Sequence, residues 1–128
     1  MTNTYQNLIQ EARFILQDTN TDPALQRFAD SDLVNILNRG LTELYRIRTD
    51  AYYDLWSDSA EDFLVPALNT NALPDPNSYL QPFALPQMFY PPLVNWVVGM
   101  TEAQDDEFTD DSRATMFLAQ FQKAVVSL

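Results

Sequence analysis

Apolar side chains recur at helical spacing over four stretches of the chain, and that pattern predicts four helices. Near 4–17, Tyr5, Leu8, Ile9, Ala12, Ile15 and Leu16 share a face, with Thr2 or Asn3 placed to cap it. Phe14 lies about 180° from that face at 100° per residue. Its neighbours Asn7, Gln10, Glu11 and Gln17 are polar, so it is expected at a contact surface and not in the core. The run Asp18–Pro23 is rich in turn formers and reads as a loop.

The second helix, near 31–49 with Asp30 or Ser31 as cap, has the cleanest pattern. Leu33, Ile36, Leu37, Gly40, Leu41, Leu44 and Ile47 form a wide apolar arc with Tyr45 at its margin, and Asn35, Arg39, Thr42 and Arg46 take the opposite stripe. Residues 50–90 break the periodicity. They hold five of the eight prolines, Pro66, Pro74, Pro76, Pro82 and Pro86, and are expected to be extended or looped, with room for a short helix from about Ala51 to Phe63. An irregular segment of that length in a small domain is usually functional or ordered by a partner.

Pro91 and Pro92 suit the first turn of a third helix near 91–105. Leu93, Trp96, Val97, Met100 and Ala103 line one face beside Val94 and Val98, and Asn95, Gly99 and Glu102 alone interrupt the apolar surface, so this helix is expected to be the most buried. The fourth, near 111–126, offers Ala114, Phe117, Phe121, Ala124 and Val125 to a core. Four helices without a convincing alternating strand predict a single all-α domain: a small helical bundle with a long proline-rich irregular middle.

Composition narrows what such a bundle can do. Its 128 residues are 46% apolar and 12% aromatic, enough for a real core. With no cysteine and no histidine, Ser-His and Cys-His nucleophile pairs, disulfides and thiolate or imidazole metal sites cannot be built. Eighteen acids against seven bases give a net charge of −11, which opposes a grip on nucleic-acid phosphates. No apolar run approaches the ~20 residues of a bilayer span. The opening MTNTYQNLIQEARFILQD has no basic start followed by a continuous apolar stretch, so no signal peptide is expected.

The acids Glu102, Asp105, Asp106, Glu107, Asp110 and Asp111 are the most conspicuous chemistry. Hard cations favour several oxygens, but the spacing lacks the turn glycine and closing glutamate of a helix-loop-helix calcium site. Paired carboxylates could also serve hydrolysis. An interhelical turn whose acids sit at the fourth helix's positive end is the simpler reading. Arg39, Arg46 and Arg48 lie on or beside one polar face, and Glu43 is within a turn of the first two, which favours ion pairing over DNA contact. Tyr52, Tyr53 and Trp56 are interleaved with Asp50, Asp54 and Asp58, a pattern suited to packing or partner contact and hostile to a phosphate backbone. Gly40 and Gly99 fall inside helices, where they permit close helix approach.

The stretch RFADSDLVNILNRGLTELYRIRTDA, Arg27 to Ala51, resembles the opening of head-tail adaptor proteins of tailed bacteriophages: a capped helix with an LN-x-G step and an R-x-R ending. The upstream EARFILQDT is similar to that family's first helix. YPPLVNWVVGMTEAQDDEFTDDSRATMFLAQF, Tyr90 to Phe121, resembles its closing pair, a proline-led apolar helix, an acidic turn and an Ala- and Phe-bearing helix. Together with that upstream stretch the two blocks cover about half the chain in the family's order, while the middle segment is shorter than in related adaptors.

The resemblance implies a structural virion protein with no reaction to catalyse and no cofactor. Copies would form a ring, usually twelve-fold, beneath the portal protein at the head-tail junction and above a tail or nozzle protein. DNA would pass through the ring without being bound specifically, and no membrane would be involved. In that setting Phe14, Tyr52, Tyr53, Trp56 and Phe83 are expected at interfaces, and Asp105, Asp106 and Glu107 on the channel wall. Two rival readings share the composition: an acidic helical binding module that mimics DNA, and a small enzyme working through carboxylates alone.

Overall fold

A computed structural model describes residues 3–16, 28–52, 67–70, 78–104 and 111–127. The fold is all-α: among the described residues there are four α-helices and no strand, only two isolated bridges, Thr4–Pro82 and Asn69–Ser78. Helix α1 is Tyr5–Leu16, α2 is Asp30–Ile47, α3 is Tyr90–Gln104 and α4 is Asp111–Ser127, with 3₁₀ turns at Thr49–Tyr52 and Gln87–Phe89.

The cap of α1 is Thr4, one position beyond the expected Thr2 or Asn3; its hydroxyl accepts the Asn7 N–H at 3.1 Å. Two further first-turn donors are satisfied from far along the chain. The N–H of Tyr5 donates to the Gln81 carbonyl at 3.3 Å and that of Gln6 to Tyr79 at 2.7 Å, while the N–H of Phe83 returns to Asn3 at 2.7 Å. The end of the proline-rich middle is thereby docked on the start of α1. At α2, Asp30 and Ser31 are the first helical residues and not caps. Ala29 precedes them in extended backbone without a side-chain cap bond, and Asp30 and Asp32 supply negative charge to the first turn.

Helix α3 is the hub, packed against α4, α1 and α2. Its Leu93, Val94, Val97 and Val98 are buried, as the near-continuous apolar pattern predicts. Of the face expected to be apolar, Trp96 and Met100 are only half-buried and Ala103 is exposed. Around the hub lie Leu8, Ile9 and Ala12 of α1, Leu33, Leu37 and Leu44 of α2, and Phe121 and Val125 of α4. Both glycines mark close helix approach. A Cβ on Gly99 would lie 2.9 Å from Leu118 Cγ of α4, and one on Gly40 would lie 2.5 Å from Trp96 Cδ1 of α3.

Candidate functional site

The LN-x-G step of α2 has two structural jobs. The Asn38 amide clamps the backbone of Leu68, accepting its N–H at 2.8 Å and donating to its carbonyl at 3.0 Å. Gly40 lets the Trp96 indole lie flat on α2, where Nε1–H donates to the Ile36 carbonyl at 2.9 Å and the ring packs on Phe121 with centroids 5.0 Å apart. Beside this seam the surface forms a shallow groove of about 470 Å³ with Trp96 and Met100 as its apolar side and Asn38, Arg39, Thr42 and Glu43 along its polar side. Arg39 also borders a second hollow of about 250 Å³, lined by Phe28, Asp32, Leu33, Asn35, Ile36 and Thr101. Thr101 is buried and its hydroxyl has no hydrogen-bond partner among the described residues.

The arginines divide by partner. Arg46 forms a forked pair with Glu43, Nη2 to Oε2 at 2.9 Å, which holds the Glu43 carboxyl below its usual range. Arg48 forms a fork with Asp50, donates to the Val125 carbonyl at 3.1 Å, and lies 5.8 Å from the centre of the Phe89 ring. It staples the end of α2 to the last turn of α4, whose unpaired carbonyls attract a cation. The Arg48 hydrogen bond holds the Asp50 carboxyl low as well. These two pairs therefore contribute above the unfolded-state values of 4.5 and 3.8, and the contribution is lost as pH falls through the lower folded-state values. Arg39 alone of the three makes no ion pair or hydrogen bond among the described residues.

Arg13 is the residue that periodicity missed. It is 5% exposed on the buried side of α1, and its Nη2 lies 2.6 Å from Asp30 Oδ1 at the start of α2. The signal was present: Arg13 follows Ile9 by four residues and precedes Leu16 by three, inside the apolar stripe.

The expected interface aromatics separate. Phe14 is 74% exposed, the most exposed of the large apolar side chains among the described residues. Tyr52 and Phe83 are corrected to core residues. The Tyr52 phenol is buried and donates to the Leu41 carbonyl at 2.8 Å, and Phe83 packs edge-on against both Tyr5 and Tyr90 at 5.3 Å. Both rings pack inside the subunit. Tyr53, Trp56, Asp105, Asp106 and Glu107 lie outside the described residues. Within the described residues no three acidic, histidine or cysteine side chains converge as a metal cage, and no helix is long and apolar enough to cross a membrane.

Burial pushes the phenols of Tyr52, Tyr5 and Tyr90 upward, Tyr90 to about 12 with help from the Glu11 carboxylate. Groups with raised folded-state values stabilise fully below their unfolded value near 10.0, and that stability is lost as pH rises through the folded values. Phenolate absorbance of these three rings is accordingly expected to rise in a cooperative phase that coincides with loss of helical circular dichroism. A single non-cooperative phase complete before any unfolding would contradict the packing of these rings.

No family model, curated protein or solved structure matches the chain.

Proposed function

We propose that the chain is a structural subunit that forms a ring between the portal and the tail of a bacteriophage particle and catalyses no reaction. The observation that carries this reading is the way the two adaptor-like blocks meet. Arg27–Ala51 supplies α2 with its LN-x-G step, Tyr90–Phe121 supplies α3 and most of α4, and the step's glycine receives the tryptophan of the second block at 2.5 Å from where a Cβ would lie. The resembling residues are thus those that lock the bundle, and they leave on its outside an exposed phenylalanine and an arginine without a partner among the described residues. The charge of −11 fits a wall past which DNA slides, because carboxylates repel the duplex over ~8–10 Å at physiological salt. Asp105, Asp106 and Glu107 are the acids proposed for that wall.

Sedimentation with and without a portal protein encoded beside the chain tests the proposal. The chain alone is expected to run as a folded monomer and to join the portal as a ring, visible in images of the assembled neck. A monomer that ignores the portal but captures a DNA-binding protein would replace this reading with that of a DNA mimic.

A further inference from the structure

We infer that copies of this chain meet head to tail, with Phe14 of one copy seated in the Trp96–Met100 groove of the next, beneath Arg39. The contact itself is argued from the surface; only its closure into a ring rests on the adaptor reading. Phe14 stands 74% exposed on the side of α1 opposite its core face. Most of the polar side chains along the groove are committed within the subunit: Asn38 to Leu68, Thr42 to the Asn38 carbonyl at 3.1 Å, and Glu43 to Arg46. Arg39 is left as an exposed cation without a partner among the described residues, on a chain whose net charge is −11.

Charge selects the occupant. An aromatic face under a guanidinium is attracted by the ring quadrupole, and Glu11, an exposed carboxylate one helical turn before Phe14, adds the complementary charge. A groove of about 470 Å³ has room for a phenyl ring. Position supports the same choice. α1 and α2 each pack on α3, so the knob on the outside of α1 and the groove along the α2–α3 seam are different patches. A contact between different patches propagates from copy to copy, where a self-complementary patch would stop at a dimer. One ring in a shallow groove buries far less than the ~1,200 Å² of a stable interface. The free chain therefore stays monomeric, and the contact fills once a template holds copies side by side.

The chain has no cysteine, so single-cysteine variants report the contact without background. Gln10→Cys, one helical turn from Phe14 on the exposed side of α1, and Thr42→Cys are prepared separately, mixed at high protein concentration and treated with a short bismaleimide. They are expected to form covalent heterodimers at least about tenfold faster than Thr42→Cys mixed with Gln122→Cys on the exposed side of α4, and Phe14→Ser in the Gln10→Cys copy should slow them to the same rate. Arg39→Glu in the Thr42→Cys copy should remove that excess. Equal rates for the two mixtures would overturn the inference, and so would Gln10→Cys linking fastest to itself. The same pair separates this contact from the adaptor reading. A chain located on the portal but lacking the Gln10–Thr42 linkage keeps its role and loses this contact. A chain that links but never joins the portal keeps the contact and loses the role.

Discussion

Gly40→Val is expected to lower unfolding stability by about 3 kcal/mol, at the upper end for overpacking a filled site. The first added atom would lie 2.5 Å from Trp96 Cδ1 and 2.9 Å from Nε1. The indole cannot swing aside freely, because Nε1–H is bonded to the Ile36 carbonyl and the ring is backed by Phe121. Either the hydrogen bond breaks or α2 and α3 separate, and both expose apolar surface that the hub helix otherwise buries. Gly40→Ala introduces the same first atom but gains about 1 kcal/mol of helix propensity, so its net loss should be smaller, about 1–2 kcal/mol. Urea unfolding should show both losses as a shifted midpoint with unchanged slope. Fluorescence of Trp96, read in a Trp56→Phe background, should move toward the solvent-exposed value. A Gly40→Ala protein more stable than the parent would show that the indole is not wedged against α2.

The helical frame is readable from spacing because each helix has one face turned to α3, and a one-face pattern is what periodicity measures. Leu33, Leu37, Leu41 and Leu44 are buried as their spacing predicts, while Asn35, Arg39, Thr42 and Arg46 are exposed. The role of the two glycines follows from the same logic, since a glycine inside a strong helix needs a packing reason. What spacing does not carry is contact between distant segments. Tyr52 and Phe83 sit in or beside the proline-rich middle, where no period marks an inward side. Their burial depends on the Leu41 carbonyl in one case and on Tyr5 and Tyr90 in the other. The capping of α1 by Tyr79 and Gln81 is equally invisible locally, because the acceptors are backbone carbonyls more than seventy residues away. The groove is half legible. Arg39 and Thr42 belong to the polar stripe, but the apolar wall comes from Trp96 and Met100, which the pattern of α3 assigns to the core.

The Arg13–Asp30 pair should respond asymmetrically to losing one partner or the other. Arg13 is 6% exposed in its side chain and Asp30 is 48% exposed. Asp30→Ala removes the carboxylate that the buried Arg13 guanidinium meets at 2.6 Å across α1 and α2. It also removes negative charge from the first turn of α2 and the acceptor of a Tyr79 hydrogen bond. Breaking a fully buried pair costs ~3–5 kcal/mol; water around the half-exposed Asp30 reduces that to about 2–3 kcal/mol here. Asp30→Asn keeps an acceptor and should lose less. Arg13→Met replaces the buried cation with an apolar chain of similar length and leaves Asp30 hydrated at the surface, so it should cost the least of the three, about 1 kcal/mol. Since Arg13 is adjacent to Phe14, its burial fixes the rotation of α1 that turns Phe14 outward. A stable Arg13→Met protein should therefore retain the rapid Gln10–Thr42 linkage, whereas a loosened α1 in Asp30→Ala should slow it. Urea unfolding and linkage rates of the same three variants decide the matter: Arg13→Met falling below Asp30→Ala in stability would mean that the arginine contributes through its packing, and the charge pairing described here would not be what holds α1 to α2.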